Sequence, residues 1–152
     1  MKVILSVESV RFPMTGIGRY TYELASRLQQ CDDIDDLRLF AGRSFVPALL
    51  KPADQSDAVH GLKRFVQKNA LAVEAYRRLM PFLRKRALRG HDDFIYHSTN
   101  FYLPPFAGRS VATFHDLSPF TWAHCHTPQI ARYLQKELVL TLERADALIT
   151  VS

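Results

Sequence analysis

Short apolar runs alternate along this chain with segments in which apolar residues recur every three or four positions. Five runs have the length and apolar content of buried strands: residues 3–7, 37–40, 94–96, 111–114 and 147–151. Strands that are separated by helices form a parallel sheet with both faces covered. The sequence therefore predicts an α/β fold, a Rossmann-like parallel sheet with helices on both faces.

Apolar spacing and start signals locate the helices. The first is predicted from about Thr15 to Gln30, and its sheet-facing stripe consists of Ile17, Tyr20, Leu24 and Leu28. The last begins at Thr127 and Pro128, an N-cap residue followed by proline at the first helical position. Its predicted inward face comprises Ile130, Leu134, Leu138, Thr141 and Ala145. Residues 63–89 are predicted to be mostly helical, with a kink or break at Pro81.

The length of 152 residues suits one domain that buries a core without disulfides or metal. No apolar run approaches the ~20 residues needed to cross a bilayer, and the first residues turn acidic too soon for a signal peptide. The two cysteines, Cys31 and Cys125, form no CxxC motif. These features predict a soluble, cytosolic protein.

Positive charge is concentrated in one segment. Residues 51–90 contain ten Lys and Arg against three acidic residues, which gives +7 and leaves about −2 for the rest of a chain with net charge +5. Basic residues alternate there with Phe, Leu and Tyr, which is the composition of a helix that rests on an anionic membrane. Nucleic acid would use the same charge, and a solvated helix face is the third interpretation.

A glycine-containing loop, TGIGR at residues 15–19, lies between the first predicted strand and the first helix. Backbone N–H groups at such a position bind phosphate, and glycine lets the anion approach. A dinucleotide-binding fingerprint would need a third glycine at Thr21 and a shorter turn. The loop is therefore either a phosphate site of another kind or a tight connection, and an oxidoreductase or epimerase is disfavoured.

Polar residues follow two neighbouring predicted strands, where the ligands of open α/β sheets bind. His115 and Asp116 follow one strand, and a histidine there can hydrogen-bond a sugar hydroxyl or transfer a proton. Asn100 and Tyr102 follow the other, and an amide both donates to and accepts from hydroxyl groups. The alternatives are a histidine packed beneath its loop and an asparagine that caps a turn.

Other chemistries are not supported by the sequence. His124, Cys125 and His126 are consecutive, so their side chains diverge, and no second ligand pair has metal spacing. We therefore predict no metal site. No GxSxG motif occurs, which disfavours a serine hydrolase.

Taken together, four stretches resemble the amino-terminal domain of the family 4 (group 1) retaining glycosyltransferases, which have the GT-B fold of two facing Rossmann-like domains. They occur in the family's order and cover the chain except for residues 41–90 and some short gaps. The stretches are TGIGRYTYELASRL (15–28), HSTNFYLPP (97–105), VATFHDLSPFTW (111–122) and YLQKELVLTLERADALITVS (133–152).

The resemblance implies roles for individual residues. Gly16 and Gly18 would line a loop that approaches the donor diphosphate across the cleft between the two domains. Arg19 would lie at the opening of the same cleft. His115 would contact the donor sugar near the reacting carbon and help to hold it for front-face transfer with retention of configuration. The resemblance also implies that Asp116 orients the loop that carries His115.

The resemblance further implies the substrates and the location. The chain would be the acceptor-side domain of an enzyme that transfers a hexose, mannose or rhamnose, from a GDP-linked nucleotide sugar. The acceptor would be a saccharide or polyprenyl-linked saccharide of lipopolysaccharide or exopolysaccharide synthesis, with Asn100 and Tyr102 on the acceptor side. The donor-binding domain is missing, so the chain alone is expected to be inactive.

The resemblance also implies that the protein lies peripherally at the inner face of the cytoplasmic membrane and that it has no nucleic-acid partner. The residues expected to face the membrane are Lys63, Arg64, Lys68, Arg77, Arg78, Arg84, Lys85 and Arg86. The remaining alternative from another class is a non-catalytic Rossmann-like module that docks its basic helix on an anionic membrane or another polyanion.

Overall fold

The computed structural model describes residues 1–49 and 70–151, and for residues 70–77 only the helical backbone is described. The described residues form a six-stranded sheet in the order β3-β2-β1-β4-β5-β6. All neighbouring strands are parallel except β3, which pairs antiparallel with β2. The strands are β1 Lys2–Ser6, β2 Asp36–Phe40, β3 Phe45–Val46, β4 Ile95–Ser98, β5 Ser110–Phe114 and β6 Ala147–Thr150. The predicted Rossmann-like α/β fold is confirmed, and β3 is the strand that the sequence patterns did not predict.

The described helices are α1 Gly16–Leu28, α2 Ala70–Ala87, α3 Ser118–Thr121 and α4 Pro128–Arg144. The predicted starts of α1 and α4 are confirmed, because Thr15 and Thr127 are their N-cap residues. Of the two predicted effects of Pro81, the break is wrong, since α2 continues through it to Ala87, and the kink stays a prediction. Met80 and Arg84, on either side of Pro81, are both buried, and this packing offsets the hydrogen bond that proline removes.

The buried faces of α1 and α4 differ in part from the apolar stripes in the sequence. The buried residues of α1 are small, Gly18, Thr21 and Ala25, and the predicted apolar stripe flanks them with partial burial. Small residues let the helix axis approach the sheet closely, and the larger side chains then pack on either side. In α4, Leu138 and Thr141 are buried as predicted, but Ile130 is exposed and Ala131 packs inward instead.

The alternation of side chains along β1 places a core on each face of the sheet. Ile4 belongs to a cluster with Phe40, Tyr96, Leu88 and Leu103 on one face. Leu5 points the other way, into a cluster that also contains Val7, Val10, Leu39 and the α1 residue Ala25. On the first face, Leu138 of α4 packs against Ala112 and Phe114 of β5. The sheet is therefore covered on both sides.

The strand order reverses at β1. This strand pairs with β2 on one side and with β4 on the other. Later strands are added beyond β2 on the first side and beyond β4 on the second. The connections that leave the carboxyl ends of β1 and β4 diverge, and the crevice between them is where ligands bind in open α/β sheets. Ser6 and Ser98, which end these strands, therefore mark the position of the candidate site.

The short distance between α1 and the loop after β1 leads to a stability prediction. A Cβ atom added at Gly18 would lie 2.8 Å from the backbone oxygen of Ser9, whereas one added at Gly16 would have no neighbour within 4 Å. Gly18→Ala is expected to lower the free energy of unfolding by about 1–3 kcal/mol through overpacking. Gly16→Ala, the matched control, should cause no loss. Urea denaturation measures both, and equal stability of the two variants would contradict the close approach.

Candidate active site

An open cleft of about 450 Å³ lies at the switch point, beside the carboxyl ends of β1 and β4. Hydroxyl groups, carboxylates and aromatic rings line most of it. The hydroxyl groups come from Ser6, Ser9, Thr15, Ser98 and Thr99, the carboxylates from Glu8 and Glu137, and the rings from Phe101, Tyr102 and Tyr133. Such a lining suits a hydroxylated ligand, because the polar groups can donate and accept hydrogen bonds while the rings cover apolar faces.

An ion pair forms one wall of this cleft. The Nη2 atom of Arg84 lies 2.7 Å from both carboxylate oxygens of Glu8, and its Nε donates to the backbone oxygen of Gly42 at 3.1 Å. The guanidinium also lies over the ring of Tyr102, 4.5 Å from its centroid. Arg84 thus joins α2 to the loops that follow β1, β2 and β4.

The prediction that Arg84 faces a membrane is therefore wrong. The residue is only 8% exposed, because Glu8 neutralises its charge inside the cleft wall. Its neighbours Lys85 and Arg86 are exposed, as is Arg78. Lys63, Arg64 and Lys68 lie outside the described residues, and the same holds for the side chain of Arg77.

The two residues predicted on the acceptor side, Asn100 and Tyr102, both line the cleft. The Oδ1 atom of Asn100 accepts a hydrogen bond from the amide of Phe101 at 2.8 Å, so the residue also caps its turn. The hydroxyl oxygen of Ser98 lies 2.7 Å from the carbonyl of Asn100 and 2.6 Å from that of Tyr102, which holds the loop. Burial raises the pKa of the Tyr102 phenol, so it stays protonated and able to donate.

His115 lies next to the cleft and is joined to it through Thr99. Its Nε2 atom is 2.9 Å from the backbone oxygen of Thr99, and Thr99 lines the cleft. Asp116 is exposed, and its Oδ1 accepts a hydrogen bond from the amide of Ser118 at 2.8 Å. Hydrogen bonds from the side chain and from the backbone amide of Ser118 lower the pKa of the Asp116 carboxyl. The group is therefore ionised at neutral pH and has no proton to donate, which suits a role in orienting the loop. Direct catalytic roles for His115 and Asp116 stay predictions.

The predicted phosphate loop divides into a packed part and an open part. Gly18 is buried, and its amide donates to the Oγ1 of Thr15 at 3.2 Å, so its function in the fold is close packing. Gly16 and the side chain of Arg19 are exposed at the start of α1. A phosphate role for this loop stays a prediction and now depends on Gly16 and Arg19.

A buried histidine lies behind the site. The Nε2 atom of His97 is 2.9 Å from the Oγ1 of Thr113, and burial lowers the pKa of the imidazole to about 4. His97 is therefore neutral at physiological pH. The next residue, Ser98, lines the cleft and holds its loop. The end of β4 therefore places His97 in the packed interior and Ser98 in the site.

Sequence reasoning missed Glu8, Arg84 and Glu137 as cleft residues. The spacing of Met80, Arg84 and Leu88, four residues apart, was the available signal that Arg84 turns inward with its apolar neighbours. Glu137 follows Tyr133 by the same interval on α4, and both line the cleft. Glu8 had no comparable signal, because it lies in an irregular loop after β1.

The described parts of the chain contain neither a candidate metal site nor a candidate membrane-spanning helix. Across residues 1–49 and 70–151, with the side chains of residues 70–77 left aside, three or more His, Cys, Asp or Glu side chains nowhere come together as a possible metal site. Over the same residues, no helix is both long and apolar enough to cross a membrane.

Comparison with curated proteins finds a relative along the whole chain. The chain aligns with the amino-terminal part of O-antigen chain mannosyltransferase B from Escherichia coli, with 42% identity over 156 aligned positions. The predicted resemblance to a glycosyltransferase is confirmed. The chain spans 41% of that relative's length. No family model and no solved structure matches it.

The Glu8–Arg84 pair gives a stability prediction. Arg84→Met would leave the Glu8 carboxylate without its partner in the cleft wall. We expect a loss of about 2 kcal/mol in the free energy of unfolding, less than for a fully buried pair because the Glu8 side chain is 36% exposed. Lys85→Met is the matched control, because Lys85 is an exposed neighbour on α2.

Urea denaturation of Glu8→Gln, of Arg84→Met and of the double variant Glu8→Gln/Arg84→Met measures the coupling between the two side chains. The double variant should lose less stability than the sum of the single variants. Additive losses would contradict an energetic role for the pair.

Proposed function

We propose that this chain is the amino-terminal, acceptor-side domain of a retaining mannosyltransferase that extends the O-antigen of lipopolysaccharide. The observation that carries the proposal is the 42% identity, over the whole chain, to O-antigen chain mannosyltransferase B. The cleft supports it, because its hydroxyl, carboxylate and aromatic lining suits a saccharide. The position of the cleft at the switch point supports it as well.

The donor in this proposal is a nucleotide diphosphate sugar, GDP-linked mannose. Its diphosphate would approach the start of α1, where helix N–H groups favour an anion and where Gly16 and Arg19 are exposed. His115 would contact the mannosyl group, and Asp116 would hold the His115 loop through its hydrogen bond to Ser118. The acceptor saccharide would occupy the cleft, with Asn100 and Tyr102 as hydrogen-bonding partners.

A second domain would supply the rest of the donor site and complete a GT-B fold. The relative is more than twice as long as the chain, which leaves room for such a domain. Exposed apolar side chains on α4 and β6 support packing of further polypeptide near this edge of the sheet. They are Val139 and Leu142 on α4, Leu148 and Ile149 on β6, and Val151 directly after β6.

Mannosyl transfer is the direct test. A longer protein that carries this chain at its amino terminus should transfer mannose from GDP-mannose to a saccharide acceptor, and the 152-residue chain should not. His115→Ala should lower kcat/KM by about tenfold or more, the effect of one lost hydrogen bond in the transition state. Tyr102→Ala should mainly raise KM for the acceptor, because its ring lines the cleft.

The control is His124→Ala, which removes an exposed histidine that does not line the cleft and should leave kcat/KM unchanged. Failure of the longer protein to transfer mannose to any saccharide would reject the proposal. Binding of the chain to anionic membranes would then favour the non-catalytic module.

We further propose that α2 rests on an anionic membrane surface. Leu79 and Phe82 are 54% and 64% exposed, and Arg78, Lys85 and Arg86 are exposed on the same helix. Exposed apolar side chains flanked by cations suit the boundary between lipid headgroups and acyl chains. This surface would bring a lipid-linked acceptor to the cleft on the inner side of the helix.

Flotation with liposomes tests the membrane surface. Lys85→Gln/Arg86→Gln should weaken binding to vesicles with anionic lipid roughly 30-fold, at ~1 kcal/mol for each lost cation. Arg132→Gln, an exposed cation of α4, is the control and should have little effect. Raising the salt concentration should release the unsubstituted chain. Binding that is equal on zwitterionic and anionic vesicles would contradict the proposal.

A further inference from the structure

The hydrogen bond between His115 and Thr99 fixes the position of a proton. The Nε2 atom of His115 lies 2.9 Å from the backbone oxygen of Thr99, and a carbonyl oxygen only accepts hydrogen bonds. Nε2 must therefore carry the proton. In a neutral imidazole the other nitrogen, Nδ1, then has no proton and acts as an acceptor. Among the residues that the structure describes, Nδ1 has no hydrogen-bonding partner.

Tyr20 holds the ring of His115 from the side of α1. The two rings meet nearly at right angles, with their centroids 5.0 Å apart and an interplanar angle of 84°. The hydroxyl of Tyr20 lies 3.4 Å from the Oγ1 of Thr113, which is also bonded to His97. Because Thr113 is fully buried in β5, the far end of the Tyr20 side chain is anchored in the sheet.

The backbone of Tyr20 is fixed as well. The close contact between Gly18 and the backbone of Ser9 seats α1 against the loop after β1. The hydroxyl of Thr21, next to Tyr20 in the helix, lies 2.7 Å from that of Ser9. Rotation of His115 away from the Thr99 carbonyl would therefore require a shift of α1 or of the Tyr20 side chain.

We propose that Tyr20 is a positioning residue that, together with the Thr99 carbonyl, holds the His115 ring with the Nε2 proton on that carbonyl, so that Nδ1 of the neutral imidazole accepts a hydrogen bond from a sugar hydroxyl. A bare Nδ1 repels a phosphate oxygen, because both atoms are acceptors. His115 therefore selects the sugar part of a nucleotide sugar and not its diphosphate. The sugar contact rests on the proposed function, whereas the position of the proton does not.

Nitrogen NMR of the chain labelled with ¹⁵N-histidine reads the protonation of each imidazole nitrogen. At a pH where His115 is neutral, its Nε2 should be protonated and its Nδ1 bare, with the signals assigned by their loss in His115→Gln. Tyr20→Leu should produce a mixture of both tautomers, and Tyr20→Phe should keep the single tautomer because it retains the ring. Tyr22→Leu is the matched control on α1, since Tyr22 packs against the cluster of Leu5, Val7, Val10, Ala25 and Leu39, which does not include His115.

A proton on Nδ1 of the unsubstituted chain, or a mixture there, would overturn the proposal. A single unchanged tautomer in Tyr20→Leu would overturn the role of Tyr20, provided that the signals of buried His97 show a folded chain. If Tyr20→Leu does not fold, Tyr20→Phe decides, because loss of the single tautomer in that variant would contradict positioning by the ring.

The sugar contact is tested separately in the longer protein. GDP-mannose should shift the Nδ1 signal of His115 and GDP should not, because only the first carries the mannosyl hydroxyls. An equal shift with GDP, or no shift with either ligand, would overturn the sugar contact. A confirmed tautomer in a protein that transfers no mannose would reject the proposed function and leave the positioning role intact.

Discussion

Parallel pairing of β1 on both of its edges determines the layout of the rest of the structure. Because β2 and β4 take opposite sides of β1, the chain leaves its carboxyl end in two directions, and the cleft opens between those paths. The alternation of Ile4 and Leu5 then assigns a separate core to each face. Both the stability of the sheet and the place of the site follow from this one strand.

Two polar arrangements connect the layers at the cleft. Arg84 ties α2 to the loops after β1, β2 and β4 on one face of the sheet. Tyr20 ties α1 to β5 and to His115 on the other. In both arrangements a side chain that spans layers is held by a buried or partly buried partner. The cleft wall and the His115 ring are thereby fixed before any ligand arrives, which lowers the ordering cost of binding.

Strands β1, β2, β4, β5 and β6 could be predicted because apolar runs mark them, whereas the two-residue β3 has no such run. The starts of α1 and α4 also have local signals, which are the spacing of apolar residues in α1 and the Thr-Pro pair at Thr127 in α4. The placement of Asn100 and Tyr102 in the cleft followed from the rule that parallel strands end at one edge. The inward turn of Arg84 and the contacts of His115 could not be predicted, because their partners are 76 and 16 residues away along the chain. The predicted burial of Ile130 was wrong for a related reason, since Ala131 packs inward in its place.

The decisive experiment is a crystal structure of a longer protein that carries this chain, bound to GDP-mannose and a saccharide acceptor. We expect the acceptor in the cleft between α2 and α4, in contact with Asn100 and Tyr102, and the diphosphate at the start of α1 near Gly16. An acceptor bound away from this cleft, or a diphosphate seated on His115, would contradict this expectation.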